Sequence, residues 1–386
     1  MAPRDGVHVV LVNWNGWRDT IECLESLFRS RHCPRFRVVV CDNASTDGSV
    51  EKITSWARGE LAVRHDREHP LASLPEPPVT KPIACQLLSR AEAEQVPDRR
   101  NEGLPLTIIG IGENLGFAGG CNVGIRYALR DPGCGYIWLL NNDTVVDPEA
   151  MGALVRRLES RPDAGQCGAR ILFYDQPSVV QALGGERYDR WLARSWPVGA
   201  RRAASDPVDT TAVEREMSYV VGASLFVTRA FVEEVGLLDE SYFLYGEELD
   251  WLARARGRFA LTYAHDSVVY HKEGRSMGSN RDGLQRSVLA DYFSVRSRLR
   301  FTWKHARAAF PTVALGVLVA GVNRVRRRQL DRAVMVLRIL FSRGTYARAA
   351  RVRADSLLEA YPPREGHAAD GAGNRTGHRA GGRREE

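Results

Sequence analysis

The first two-thirds of the chain is punctuated by short runs of mainly apolar residues that do not alternate with polar ones. Val7 to Val12, Phe36 to Cys41, Leu106 to Ile111, Ile137 to Leu140, Val220 to Val227 and Val268 to His271 are such runs. The missing alternation predicts strands buried on both faces of a mostly parallel sheet. Between them apolar residues recur at helical spacing. Ile21, Leu24 and Phe28 form the inner face of a helix for which Asp19 and Glu22 resemble a capping box. Further helices are predicted up to Leu129, from Pro148 to Leu158, from Arg229 to Val235, and after a loop that runs from Leu237 to Trp251. A shorter strand is expected over Ala169 to Phe173, within an Arg-, Trp- and Pro-rich region. Strand, helix and strand in this order make right-handed βαβ units, so the fold class is α/β.

Two regions depart from this rhythm. Residues 59–103 contain Pro70, Pro75, Pro77, Pro78, Pro82 and Pro97, and read as an insertion, either a variable surface loop or an acceptor-side lid. Only Ala91 to Gln95 looks helical there. A catalytic domain over 1–277 is followed by a basic helical extension over 278–361 and a Gly-, Ala- and Arg-rich tail over 362–386, read as disordered.

The predicted strands end alike. Asn13-Trp14-Asn15-Gly16 follows the first, Asp42 to Gly48 the second, a Gly-rich loop from Glu113 to Asn122 the third, and Asn141-Asn142-Asp143 the fourth. Ligands bind at this edge of open α/β sheets, where the loops splay apart. Asp143 flanked by two amides could hold one face of a hard divalent cation, or the three residues could form an Asx-rich turn. Gly116, Gly119 and Gly120 would let the backbone approach a ligand at a helix start, a weak signal alone.

Charge and cysteines narrow the function. The net charge of +7 is concentrated: between Arg296 and Arg353 fifteen Arg and Lys face a single acid, Asp331, and the remainder of the chain is net acidic. A general nucleic-acid surface is therefore not expected. The seven cysteines are scattered without a C-x-x-C pair, which fits a reducing compartment and argues against structural zinc. Val7 to Val12 is too short for the apolar core of a signal peptide, so the expected location is cytoplasmic, on the inner face of the cell membrane. Val288, Tyr292, Val295, Leu299 and Trp303 share one helical face beside Arg296, Arg298, Arg300 and Lys304. Phe310 to Val322 is apolar but too short to span a bilayer. This mixture suits an anionic membrane surface; packing on the catalytic domain, or contact between two copies in a homodimer, is the alternative.

Five stretches taken together resemble family 2 glycosyltransferases, and most nearly the bacterial rhamnosyltransferase-like branch. They are Asp42-Asn-Ala-Ser-Thr-Asp-Gly-Ser49, Asn114-Leu-Gly-Phe-Ala-Gly-Gly120, Asn141-Asn-Asp-Thr144, Gly246-Glu-Glu-Leu-Asp-Trp251 and His271. The resemblance spans about Val7 to Met277. It implies a GT-A fold, a Rossmann-like sheet flanked by helices, and inverting transfer of a sugar such as rhamnose. The donor would be a nucleotide-diphosphate sugar, the acceptor a lipid-linked glycan or polysaccharide, and the cofactor Mg or Mn. It would place Asn13, Asn15, Asp42, Asn43, Asn114, Gly116, Gly119, Gly120, Asn122, Asn141 and Asn142 around the donor, with Asp143 and His271 on the metal. Glu248 would be the catalytic base, with Glu247 and Asp250 orienting it or the acceptor, and Gly222, Ala223 and Trp251 on the acceptor side. The chain departs from the family in three places: Cys121 where a polar residue is common, one acid in place of an acidic triad, and Glu248 where Asp is common. A sugar-nucleotidyltransferase and a non-catalytic nucleotide-sugar-binding scaffold remain as rivals. The former would want a Gly-rich phosphate loop after the first strand, where Asn13-Trp14-Asn15-Gly16 stands.

Overall fold

Val9 and Leu11 pack into one apolar core and Val10 into another, which is why the central strands do not alternate. The computed structural model describes residues 5–63, 66, 68–95, 103–272, 287–342, 344 and 346. In chain order it runs β1 (Gly6–Asn13), α1 (Trp17–Leu27), β2 (Phe36–Asp42), α2 (Ser49–Arg58), β3 (Cys85–Ser89), α3 (Arg90–Glu94), β4 (Leu106–Gly110), α4 (Gly116–Leu129), β5 (Cys134–Asn141) and β6 (Thr144–Val146). There follow α5 (Ala150–Glu159), β7 (Ala164–Phe173), β8 (Gln176–Leu183), β9 (Gly185–Asp189), β10 (Arg194–Pro197), α6 (Thr210–Glu216), β11 (Tyr219–Val220), β12 (Ser224–Thr228), α7 (Arg229–Val235), α8 (Glu247–Ala255) and β13 (Ala260–His271). Three further helices are α9 (Val288–His305), α10 (Phe310–Arg326) and α11 (Leu330–Phe341).

The main sheet has the order β3-β4-β2-β1-β5-β12-β7-β13-β6, with β8 paired to β7. From β3 to β5 the pairing is parallel; β12 is antiparallel to both its neighbours, and β13 runs parallel to β7. Ile21, Trp56 and Leu154 cover one face of the sheet, while Ala118, Phe231 and Trp251 cover the other. This is the mostly parallel, helix-flanked sheet that the GT-A expectation required.

Several expectations need correction. The capping box of α1 is absent: its N-terminus has no side-chain cap, and Glu22 and Asp19 instead pair with Lys272. A buried ammonium 8% exposed needs such partners more than a helix end does. The insertion carries structure, since β3 extends the sheet parallel to β4, and Ser89 with Glu92 forms a capping box for α3. The expected strand from Val220 to Val227 is broken into β11 and β12 around Val221–Ala223.

The basic extension is tied into the body. Arg296 is fully buried and donates to Ser241 O at 2.6 Å, Arg300 pairs with Asp239 at 3.1 Å, and Lys304 reaches Asp239 and Asp250 at 2.8 and 2.7 Å. Arg300 and Lys304 neutralise the half-buried Asp239 and the buried Asp250, and Arg296 satisfies a backbone carbonyl, so α9 follows the packing alternative. The run from Phe310 to Val322, expected to be too short, lies within a longer helix. Among the described residues, Arg307–Arg326 is the one helix long and apolar enough to cross a membrane by length and composition. The 362–386 tail lies outside the described residues.

Candidate active site

Strand register brings the polar ends into one row. Asn13 lies opposite Asp42, Asp42 opposite Gly110, and Val12 opposite Asn141. Asn13 is the hub: its amide donates to Asp42 Oδ1 at 2.7 Å and Ser45 Oγ at 3.1 Å, while its Oδ1 accepts from Thr20 Oγ1 at 2.8 Å and Asn142 Nδ2 at 3.3 Å. Asp42 also closes its own turn, accepting from Ser45 N at 3.0 Å and Ser45 Oγ at 2.6 Å. Asn15, with φ 53°, accepts from Thr46 N at 2.7 Å. Most of the hydrogen-bonding capacity of this predicted donor set therefore builds the edge itself. Asn43 differs. Its Nδ2 donates to Gly116 O at 3.0 Å, but its buried Oδ1 accepts from no group among the described residues. A buried amide oxygen without a donor costs about 1–3 kcal/mol, which a ligand hydroxyl or N–H would recover.

The Gly-rich loop docks onto the loop before α8: Phe117 N donates to Phe243 O at 2.8 Å, and a side chain at Gly116 would collide with that same carbonyl. Asn114 accepts from Gly116 N at 3.0 Å. Gly119 and Gly120 were expected against the donor; Gly119 faces Leu115 at the start of its own helix, and Gly120 faces Val12, which lets α4 pack close to β1. Asn122 is likewise withdrawn, buried and clamped to Leu238 O at 2.9 Å and Leu238 N at 3.0 Å. Cys121 is 1% exposed and part of the core, which accounts for an apolar-compatible residue there.

Asp143 and His271, distant in sequence, meet at the far end of the row. Pairing of His271 with Thr144 across β13 and β6 brings Asp143 Oδ1 to 3.2 Å from His271 Nε2. Asn141 Nδ2 is 3.3 Å from the same nitrogen. On the other side of the ring, Nδ1 is 3.1 Å from Gln181 Oε1. With Nδ1–H donating to that oxygen, Nε2 would be free to give its lone pair to a cation in place of its hydrogen bond to Asp143. Burial opposes ionisation of Asp143, yet His271 and Lys272 hold its carboxyl below the usual value. A spacing of 3.2 Å suits neighbouring donors on an octahedral cation with bonds of ~2.1 Å. Among the described residues no group of three or more His, Cys, Asp or Glu could hold a metal ion. The pair therefore fits a cation completed by phosphate oxygens and water, as Mg characteristically is.

Helix α8 carries the acids. Tyr245 (φ 68°) and Gly246 (φ 87°) turn the chain left-handed before it, a conformation that Gly accepts without strain and Tyr does not. Glu248 lies against Gly222, where any side chain would strike its Oε1. Burial, and the charge of Glu186, raise Glu248 to about 7 against the pull of backbone N–H groups. Glu247 is 2% exposed, its Oε2 lacks a partner, and burial together with Glu248 pushes its pKa up. Next to Gly222, Ala223 O accepts from Asn141 N at 3.1 Å. The short segment Gly222–Ala223 thus bridges the base candidate and the metal pair.

Two predicted residues of this helix belong elsewhere. Asp250, fully buried, pairs with Arg254 at 2.9 Å, Lys304 at 2.7 Å and His305 at 2.8 Å, so it anchors α9 instead of orienting a substrate. Trp251 cannot stack on a sugar. It is 0% exposed, its indole donates to Gly236 O at 2.7 Å, and it packs edge-on to Phe231. Gln181, Glu186 and Lys272 were missed. Only Lys272, adjacent to His271, carried any signal in the sequence.

The model for "Glycosyl transferase family 2" matches residues 8–69 and 89–197, and the unmatched 70–88 fall inside the insertion. Glu248 and His271 lie beyond the match. An N-acetylglucosaminyl-diphospho-decaprenol L-rhamnosyltransferase of Mycobacterium tuberculosis is 25% identical over 279 residues, 65% of this chain and 88% of that protein. A low-salt glycan biosynthesis hexosyltransferase of Haloferax volcanii is 26% identical over 38% of this chain and 44% of its own. A mannosyltransferase from Pyrobaculum calidifontis, solved with GDP-Man and Mn2+, overlaps 90% of this chain and 89% of its own with a TM-score of 0.47 and 14% identity. The ordered motifs, the match over residues 8–69 and 89–197 and the rhamnosyltransferase relative together make this chain similar to glycosyl transferase family 2 and support its reading as a glycosyltransferase.

Proposed function

We propose that the protein moves rhamnose or a similar hexose from a nucleotide-diphosphate donor to a lipid-linked or polysaccharide acceptor, with inversion at the anomeric carbon. The reaction would serve cell-surface glycan synthesis at the cytoplasmic face of the membrane. The observation that carries it is a chain of neighbours: Glu248 lies against Gly222, Ala223 O accepts from Asn141 N, and the Asn141 amide reaches His271, which pairs with Asp143. The rhamnosyltransferase relative supports the choice of sugar and of a polyprenyl-diphosphate acceptor.

Asp143 and His271 would hold a divalent cation, which supplies Lewis-acid neutralisation of charge on the departing diphosphate. Asn43 Oδ1, buried without a donor, would accept from the nucleoside. Glu248 takes the acceptor hydroxyl's proton as that oxygen bonds the anomeric carbon and the bond to the diphosphate breaks on the opposite side. Burial and the charge of Glu186 keep the base's proton affinity high.

A panel of nucleotide sugars with Mg or Mn, read by thermal stabilisation, tests this: one donor should raise Tm only with metal, and Asp143→Asn should abolish the shift. If no donor stabilises the protein with either metal, the proposed function is wrong.

A further inference from the structure

The turn between β9 and β10 exposes Trp191 (46%), Leu192 (53%) and, on the strand, Trp196 (40%). Arg190 and Arg187 lie over Trp191 and Trp196, each 5.5 Å from the ring centroid. This tip is fastened to the first turn of α10, where Thr312 Oγ1 donates to Trp191 O at 2.8 Å, and Ala193 packs into the same core as Val313 and Val317. Beyond it, α10 exposes Leu315, Leu318, Val319, Val322 and Val325, spaced i, i+3, i+4, i+7 and i+10. The opposite face of α10 is closed, with Val313, Val317 and Gly321 buried toward α9 and α11. With one side held by α9 and α11, the outer face of α10 is the side left for a lipid interface. At its end Arg326, Arg327 and Arg328 are exposed and form no ion pair among the described residues.

We propose that the β9–β10 tip and the outer face of α10 form one docking surface for an anionic lipid bilayer, which presents a membrane-borne acceptor to Glu248. Exposed apolar side chains gathered with Trp and Arg in this way match the headgroup boundary. Arginine clusters complement anionic headgroups, whereas a symmetric contact between two copies would gather the same cations together. The inner end of the surface reaches the site: β9 pairs with β11, Tyr219 donates to Glu186, and Glu186 acts electrostatically on Glu248. The delivery of an acceptor rests on the function proposed above; the docking does not.

Co-sedimentation of the full chain with vesicles of phosphatidylglycerol and phosphatidylcholine, against phosphatidylcholine alone, tests it. Binding should favour the anionic vesicles and be reversed by salt. Replacing Arg326, Arg327 and Arg328 with Gln should weaken it on the order of 100-fold, at ~1 kcal/mol per charge. Leu318→Asp with Val322→Asp, and separately Trp191→Ser with Leu192→Ser, should each release the protein while donor stabilisation persists. Unchanged binding by both pairs, or by the tip pair alone if the helix pair misfolds, overturns the docking surface. So does a dimer in lipid-free solution that the helix pair converts to monomer. Failure of every donor to stabilise the unaltered chain, with vesicle binding intact, would instead reject the proposed function.

Discussion

Helix α8 holds carboxylates in opposite circumstances on two of its faces. Toward α9, Asp250 has no exposure and three cationic partners, and despite its burial these contacts hold its pKa below the ordinary carboxylate range. Toward β11, Glu248 lies against Gly222; neither it nor Glu247 forms an ion pair among the described residues, the two interact, and both pKa values are raised. The same kind of side chain, within one turn, is a structural anchor on one face and a proton acceptor in waiting on the other. Compensation by α9 makes the difference, so a carboxylate motif does not declare its roles until its partners are in place.

Glu248→Gln should separate the two faces most sharply. Transfer is expected to fall by ~10²–10⁴ in kcat with donor binding and folding kept, and initial-rate kinetics beside a donor-binding isotherm check this. Retained transfer would remove Glu248 as base. Because the base works ionised, kcat/KM of the unaltered enzyme should climb as pH rises through about 7. An ordinary glutamate would place that limb near ~4.3. Asp250→Ala should act on stability, costing about 3 kcal/mol in urea unfolding, the lower end for a broken buried pair because Lys304 is a third exposed. If stability is untouched and only catalysis suffers, the division between the faces fails.

Two smaller effects refine the comparison at the bridge. Gly222→Ala should push Glu248 from its place and lower kcat about 10²-fold with the fold intact, seen in rate and circular dichroism. Gln181→Leu removes the acceptor that orients His271, and metal affinity should weaken by ~10–100-fold by titration calorimetry, with Glu248's pH limb unmoved. A shift of that limb would mean the two ends of the bridge are not independent.

Much of this was open to a reader of the sequence. The strand at Ile137 to Leu140 could be located because burial on both faces leaves no polar alternation, and all four residues are at most 1% exposed. The polar strand ends could be placed on one edge because parallel strands share a direction. Asp143 with His271 followed only from motif resemblance, and Gln181 from nothing: β8 is a short antiparallel strand whose pairing no local pattern announces. Gly120 and Asn122 misled, since a glycine that admits a ligand and one that admits a neighbouring strand look alike in sequence. The arginines of α9 misled in the same way, because membrane headgroups and buried aspartates ask for the same cation.

Residue order was enough for the class of fold, the edge where chemistry would gather and the family resemblance, since periodicity and strand direction are local properties that survive without neighbours. Which carboxylate works, which glycines touch ligand and which cations are already engaged waited on the packed chain. Ionisation, exposure and hydrogen-bond satisfaction are fixed by groups that other elements bring within a few ångströms, and Lys304, His305 and Gly222 reach α8 only once the chain has folded.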